Sequence, residues 1–551
     1  MDTTRREFLQ DLAFAAALVG LPSWATELDE TPPAEMMSFT SYGTNPWQWK
    51  PASAIGKPNF FVTVLNRLGY GPRPGDVERV QKIGVDAYVD QQLHPETIDD
   101  SALEQRLAKD YPTLTMGPGE LRTKYPFPTK DQKQQNKNNN NNQNPLGALG
   151  IGKSQPGPEE VVMQLEQATV LRAVMSQRQL FESLVEFWSD HFNIYIRKDD
   201  NLYLKTIDDR DVIRKHALGK FSDLLLASAQ SPAMLTYLDN RENTKGVANE
   251  NYAREIMELH SLGVDGGYTQ KDVAELARAF TGWQVTPPPL KAKQNLNFTN
   301  AGKFIYNARQ HDDGAKTILG INLASGGGMN DALKIIDALA HHPSTAKFIA
   351  RKLVKRYVSD TPPDALVERA AATFKQTDGD LRAVLGTILH SDEFNTSNFL
   401  KIKRPYDYTI SAARAVNAQM DDARALAIAV RLMGQGLFFH VTPDGYPDLG
   451  SAWINTDGLL GRWNLAMLYG SGKVPRTQID LSGAMKSAAV KTVGDAVNFW
   501  VDYILHREIP SDDRAKIIAT ISSGGEGAAF DATTLSVLVS LILASPHFQY
   551  R

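Results

Sequence analysis

From residue 159 to the end of the chain, apolar side chains recur every three to four positions, the period of a helix with one buried face. The spacing predicts helices over 177–192, 210–230, 251–262, 271–282, 331–340, 345–358 and 366–374. It predicts a second series over 381–390, 406–416, 423–433, 459–468, 493–506, 513–521 and 533–544. Two earlier helices fall near Pro74-Gly75-Asp76 and over 86–93. Strand-like alternation is scarce, and the best stretches are 193–196 and 302–306. The expected fold class is all-α or nearly so, a multi-helix globular array with long irregular loops. Ile388-Leu389-His390-Ser391 with Phe394 recurs as Ile542-Leu543-Ala544-Ser545 with Phe548, which reads either as a repeated helical unit or as coincidence.

The pattern is absent from two segments. At the N-terminus, Thr4-Arg5-Arg6-Glu7-Phe8-Leu9-Gln10 precedes an apolar run from Leu12 to Leu21, and Ser23-Trp24-Ala25 follows with small residues at alternate positions. Paired arginines, a short apolar run and a small-residue cleavage site make residues 1–25 a twin-arginine export signal. The alternative is an ordinary helix that happens to carry two arginines. The apolar run is too short for a permanent membrane span. The expected location is therefore periplasmic or secreted, with no transmembrane anchor once the signal is cleaved. Residues 130–158 include the run Asn138 to Asn142 and carry no apolar period, so they read as a low-complexity loop. The remaining chain divides into an irregular and helical region over 26–129, a helical core over 159–345 and a C-terminal helical region over 346–551.

Composition narrows the chemistry. None of the 551 residues is a cysteine. Disulfides, thiolate zinc sites, cysteine-ligated clusters and a cysteine nucleophile are thereby excluded. A metal would need His, Asp, Glu, Asn or backbone oxygens. The net charge of −4 comes without the basic stripe a nucleic-acid binder needs.

The richest stretch for chemistry is 248–283. On the helix that starts at Asn251, the side chains of Asn251, Arg254, Glu255 and Glu258 share an arc about 100° wide, away from Tyr252, Ile256 and Leu259. Two carboxylates, an amide and a guanidinium on one stripe can hold a metal or a polar ligand. The plainer reading is a solvated face with Arg254 and Glu258 paired at i,i+4. Thr269 and Asp272 form a capping box for the next helix, which buries Val273, Leu276, Ala277 and Phe280 and leaves Arg278 and Trp283 off that stripe. His191 lies on the apolar arc of its helix, where a histidine either packs with a hydrogen-bond partner or serves as a ligand. His311-Asp312-Asp313-Gly314-Ala315-Lys316 reads as a turn that pairs a histidine with carboxylates, either an acid–base or metal pair or an ordinary surface turn. The block from Asp444-Gly445-Tyr446-Pro447-Asp448 to Trp463-Asn464 mixes aromatic and polar residues suited to carbohydrate or peptide contact, or to loop packing.

Together these segments resemble the bacterial family known as domain of unknown function 1800. The resemblance rests on Phe187-Trp188-Ser189-Asp190-His191-Phe192, on 231–240, on 249–259, on Tyr268-Thr269 through Thr281-Gly282-Trp283, on His311 to Lys316, and on the Gly445-Tyr446-Pro447 and Trp463-Asn464 block. It spans most of residues 60–550. It implies an exported, helical, bacterial protein, often encoded beside a secreted protein of the phosphatase and sulfatase class, and so an envelope partner of that class. The family brings no established activity. Its signature does fall on His191, Arg254, Glu255, Glu258, Arg278, His311 and Asp312, which favours a shared site.

Two functions follow. The first is a cell-envelope hydrolase or metal-dependent enzyme acting on an extracellular polymer. Glu255, Glu258, His311 and Asp312 would be catalytic, with Arg254, Arg278 and Trp283 holding substrate. His191, His311 and Glu255 would hold a divalent metal. The second is a non-catalytic helical scaffold or binding protein that works with an envelope partner.

Overall fold

The computed structural model describes residues 59–127, 157–287, 301–397, 401–486, 488–531 and 534–551. The expected export signal and the Asn138 to Asn142 run lie outside them. The chain is mostly α-helical, with short strand pairs.

In chain order, the first helices are α1 (Phe60–Leu68), α2 (Asp76–Ile83), α3 (Val85–Leu93), α4 (Ser101–Asp110), α5 (Pro118–Lys124), α6 (Pro158–Met175), α7 (Gln179–His191) and α8 (Asn201–Asp208). Then come α9 (Phe221–Ala229), α10 (Pro232–Tyr237), α11 (Asn251–Glu258) and α12 (Gln270–Ala279). Two antiparallel pairs follow. β1 (Trp283–Val285) pairs with β2 (Phe304–Tyr306) in the register Trp283 to Tyr306, and β3 (Lys316–Ile318) pairs with β4 (Ile321–Leu323). The chain continues through α13 (Met329–Ala340), α14 (Pro343–Tyr357), α15 (Asp364–Gln376), α16 (Leu381–Leu389), α17 (Asp392–Asn395), α18 (Pro405–Ala415) and α19 (Arg424–Leu432). It ends with α20 (Thr456–Gly470), α21 (Leu481–Met485), α22 (Val493–Leu505), α23 (Ser511–Ile521), α24 (Leu535–Ala544) and α25 (Pro546–Gln549).

These helices build two large apolar cores. The first gathers α1–α3, α7 and α9 through α17, with Trp188, Phe221, Phe280 and Trp283 at its centre. The second gathers α4, α6, α18–α20 and α22–α25 around Trp500, Tyr406, Tyr408 and Tyr469. Helix α6 joins the second core although it precedes α7, because it is buried nearly all round. Its polar side chains are accordingly paired: Glu166 with Arg431, Arg172 with Glu104 at 2.8 Å, and Gln164 with Thr113 at 2.8 Å.

Three local expectations change. The helix expected over 210–230 is a π-helical turn at Asp209–Arg214 followed by a separate α9. The break at Gly219 and Lys220 frees main-chain groups that bond across to the start of α16. Phe221 N donates to Gly379 O at 2.9 Å, and Leu381 N donates to Gly219 O at 3.0 Å. Residues 193–196 are not a strand. They are irregular and hydrogen-bond to residues 438–442, with Ile196 N donating to Phe438 O at 3.0 Å. The strand expected at 302–306 is present as β2.

The recurring Ile-Leu-x-Ser motif is a repeated device. Ser391 Oγ donates to Ile388 O and Ser545 Oγ donates to Ile542 O, each at 2.7 Å. Each serine ends one helix and opens a short one that drives an aromatic ring inward, Phe394 into the first core and Phe548 into the second. Ser391 also accepts from Phe394 N as an N-cap. Ser391→Ala should therefore cost about 1 kcal/mol of stability, the usual loss for a helix cap. Urea unfolding checks this through a lower midpoint at unchanged slope.

Candidate functional site

The stripe predicted on α11 stands at the surface, and its pairing differs from expectation. Arg254 reaches back to Glu250 at 3.3 Å and donates to Gln270 Oε1 at 2.8 Å. Glu258 accepts instead from Tyr268 Oη at 3.0 Å. The stripe is thus split by Tyr268 and Gln270, neither of which lies on α11, and sequence spacing alone cannot place such neighbours.

Glu255 has no hydrogen bond or ion pair among the described residues, although it is half-buried. It lines an open cleft of about 460 Å³ with Tyr195, Lys198, Tyr237, Leu238, Asn251, Val441 and Pro443. Burial and then the neighbouring Glu258 charge push its carboxyl above the ordinary range, against the pull of Arg254, and the charge of Asp444 adds to the rise. Asp444 itself is held below the ordinary carboxylate range: hydrogen bonds from Thr442 and His440 outweigh its partial burial.

The cleft walls are built rather than loose. Tyr237 Oη donates to Val441 O at 2.6 Å, and Asn193 Nδ2 donates to Thr442 O at 2.7 Å. Lys198 Nζ donates to Tyr237 O and pairs with Asp239, both at 2.7 Å. Tyr446 N donates to Asp190 Oδ1 at 2.8 Å, which ties the same loop to the end of α7. Gly445 permits that approach: its φ is +75°, and a Cβ there would lie 2.4 Å from Asp190 O. The structure thereby joins two blocks that the sequence singled out separately, the α11 stripe and the Asp444 to Asp448 segment.

His191 is a buried, fully engaged histidine. A carbonyl only accepts and an ammonium only donates, so its Nε2 donates to His260 O at 3.2 Å and its Nδ1 accepts from Lys352 Nζ at 2.9 Å. Burial, with Lys352 and His260 adding to it, depresses its pKa well below the usual histidine value, so the ring is neutral. Lys352, on α14, was not visible as a site residue from sequence. Beside it, burial and the charge of Glu186 push Asp190 up to about 7.

The residues of the 278–316 motifs form a clamp. Arg278 holds Asp312 through Nε at 2.9 Å and Nη2 at 3.2 Å, and holds Glu275 through Nη1 at 2.7 Å. Thr281 Oγ accepts from Asp312 N at 2.8 Å, and His311 Nδ1 donates to Thr281 O at 2.8 Å. His311 Nε2 lies 3.5 Å from Asp331, which also takes Lys316 Nζ at 2.7 Å; the side chains of His311 and Lys316 are fully buried. Gly314 is small because a Cβ would sit 2.7 Å from Arg278 Nη2. Trp283 is fully buried between Phe280 and Phe304, so it is a core residue and not a substrate contact. Packing therefore accounts for His311, Asp312, Arg278 and Trp283.

The metal set His191, His311 and Glu255 does not assemble. Among the described residues, no group of three or more His, Asp or Glu side chains could hold a metal ion. His191 spends both ring nitrogens on Lys352 and a carbonyl, and His311 is sealed in the clamp.

The fold and the cleft define a mostly α-helical protein with an open, carboxylate-bearing surface site. The family model described as Protein of unknown function (DUF1800) matches residues 63–550, and the chain belongs to that family. No curated protein and no solved structure matches it. No helix among the described residues is long and apolar enough to cross a membrane.

The clamp makes a pH-dependent prediction. Hydrogen bonds from Arg278 hold Asp312 at about 2, below its ordinary 3.8. A depressed carboxylate stabilises the fold above its unfolded pKa and loses that effect as pH falls through the folded one. Asp312→Asn should therefore lower the melting temperature at pH 7. The gap to the wild type should close between pH 4 and pH 2, as thermal scans across that range would show.

Proposed function

We propose that this protein is an exported hydrolase of the cell envelope that cuts an extracellular polysaccharide in the Glu255 cleft. The observation that carries the reading is Glu255 itself, a half-buried carboxyl with no partner among the described residues on the wall of an open cleft. Two carboxyls whose surroundings push their pKa values apart are the usual signature of an acid and a base. In this reading Glu255 stays protonated to higher pH and donates its proton to the leaving oxygen. Asp444 stays ionised and takes a proton from the attacking water. Tyr195 and Tyr237 line the cleft with aromatic surface against which a sugar unit would pack, and the openness of the cleft suits a polymer. The clamp of Arg278, His311 and Asp312 supports α12 and takes no part in the reaction. Proton chemistry of this kind needs no divalent metal.

Glu255→Gln removes the proton donor and keeps the shape. It should cut release of reducing ends from isolated envelope polysaccharide at least a hundredfold, the usual scale for losing a general acid, with the melting temperature unchanged. The wild-type rate should survive dialysis against EDTA. Full activity in Glu255→Gln would remove the assignment, and loss in EDTA restored by zinc would bring back a metal enzyme.

A second reading is favoured by one observation. Val441, Leu449, Ile454 and Leu460 expose apolar side chains along the segment that follows the cleft wall. A non-catalytic binding protein docked there on an envelope partner of the phosphatase and sulfatase class would use the same cleft without cutting. Polysaccharide binding by an inert wild type would support it.

Export by the twin-arginine route belongs to both readings. Replacing Arg5 and Arg6 together with lysine should hold the full-length protein in the cytoplasm, as cell fractionation would show. Unchanged export would remove the twin-arginine assignment.

A further inference from the structure

Where α8 runs on into the π-helical turn Asp209–Arg214, the chain forms one wall of a pocket of about 360 Å³. Thr206, Asp209 and Arg210 share a helical face at spacings of three and four. The π turn closes its hydrogen bonds over five residues instead of four, so Arg214 and Lys215, four and five positions past Arg210, both return to that face. Across the pocket stand Glu104 of α4 and Arg172 of α6. Arg210 ties the walls together, its Nη1 donating to Leu114 O at 3.0 Å and to Met116 O at 3.1 Å.

Most of the charges here are paired. Arg172 forks onto Glu104 through Nε at 2.9 Å and Nη2 at 2.8 Å. Arg214 forks onto Glu182 at 3.0 and 2.7 Å, and Arg210 onto Asp211 with both contacts at 2.8 Å. Lys205, whose charge also reaches Asp209, takes Asp208 at 2.8 Å. These four pairs cancel. Among the charged groups that line the pocket they leave one carboxylate and one ammonium, Asp209 and Lys215. Neither side chain makes a hydrogen bond or an ion pair among the described residues.

The two differ in setting. Lys215 is exposed, whereas Asp209 is only 4% exposed. Burial pushes the Asp209 carboxyl above the ordinary range against the pull of Arg214, Arg172 and Lys205, and the charge of Glu182 adds to the rise. A buried carboxylate that accepts no hydrogen bond is costly until something compensates it. The Oγ of Thr206, one turn earlier, is also buried without a partner among the described residues, and Arg172 Nη1 has none either. A free carboxylate beside a hydroxyl suits an ammonium, which donates three N–H groups. A free guanidinium N–H and a lysine suit a carboxylate. A ligand that carries both charges preserves the balance of the pocket, and a simple cation or anion would upset it. Ala108 and Leu114 add an apolar stretch of wall that suits a hydrocarbon side chain.

We infer that this pocket binds a small zwitterion, an α-amino acid, with its ammonium on Asp209 and Thr206 and its carboxylate on Arg172 and Lys215. The volume equals that of about twelve liquid waters at roughly 30 Å³ each, which is room for an amino acid of ordinary size. Helix α8 separates the pocket from the Glu255 cleft, since Lys198 of the cleft precedes the helix and Asp209 follows it. Its test does not depend on the hydrolase reading.

The test uses the purified full-length chain, dialysed free of amino acids. The protein α-amino acids are titrated one at a time from micromolar to tens of millimolar while the melting temperature is followed. At least one should raise it, with a rise that grows with the logarithm of concentration as binding linkage requires. The N-acetyl derivative of that amino acid lacks the ammonium and should give no rise. In Asp209→Asn the same rise should need at least about tenfold more ligand, the scale of a lost hydrogen bond to a charged group. Without ligand this variant should melt no lower than the wild type, because Asp209 holds no partner. Lys215→Ala, at an exposed position, should weaken the response severalfold, and it decides the matter if Asp209→Asn does not fold. No rise with any amino acid, or an equal rise with the N-acetyl derivative, would overturn the site. So would an undiminished response in Asp209→Asn, or in Lys215→Ala where Asp209→Asn does not fold. A rise with glucose or N-acetylglucosamine and none with amino acids would overturn it in favour of a sugar pocket.

Discussion

The structure depends on how it satisfies charge between its two apolar cores. Helix α7 runs along that boundary with its apolar face in the first core. Its polar face does not meet water. Glu182 pairs with Arg214 at 2.7 Å, Glu186 meets Arg356 and Arg404, and Asp190 accepts from Tyr446 N. Arg404 and Asp407 belong to the start of α18, whose tyrosines lie in the second core. The Glu186–Arg404 and Arg356–Asp407 contacts therefore join one core to the other. Apolar packing alone would let two such bodies slide, since it is non-directional. Hydrogen-bonded charges in a dry space accept one geometry, and losing one partner of such a pair strands the other at a cost of about 3–5 kcal/mol.

Much of the helical scaffold was legible because periodicity is local. The capping box at Thr269 and Asp272, the buried stripe of α12 and the turn at His311 all appear as read. What escaped reading was long-range. Arg254 has Glu250 and Glu258 each four residues away, and only the position of Gln270 and Tyr268 decides which it takes. Lys316 finds Asp331 across fifteen residues, and Lys352 finds His191 across the first core. Trp283 was placed off the stripe correctly, yet β2 folds over it and buries it. Glu182, Glu186 and Asp190 lie off the apolar arc of α7, but a periodic pattern cannot say whether that direction leads to solvent or to another helix.

The same limit explains the candidate site. A motif marks polar residues that a fold keeps in particular places, and it does not separate residues that hold a loop from residues that meet a ligand. Here accessibility draws the line. His311 and Lys316 are sealed, and the Asp312 carboxylate is bound by the Arg278 guanidinium and the backbone N–H of Gly314. Glu255 alone of the predicted carboxylates faces open space without a partner among the described residues. The part of the site that no spacing predicted is the wall opposite, residues 441–446, which comes from nearly two hundred residues further along the chain.

The core boundary and the cleft are mechanically continuous. Asp190 stands one helical turn beyond Glu186 on α7, and its side chain holds Tyr446 at the base of the cleft wall. Burial and the charge of Glu186 push its pKa up to about 7, so its state responds to how well Arg356 and Arg404 neutralise Glu186. A well-neutralised Glu186 leaves Asp190 freer to ionise, and an ionised Asp190 is the stronger acceptor for Tyr446 N. The chain from Arg356 and Arg404 through Glu186 and Asp190 to Tyr446 thus carries the electrostatic condition of the core boundary to the loop that bears Asp444. The rigid elements along that path are one turn of α7 and one backbone hydrogen bond, so a small change at the boundary has little slack in which to be lost.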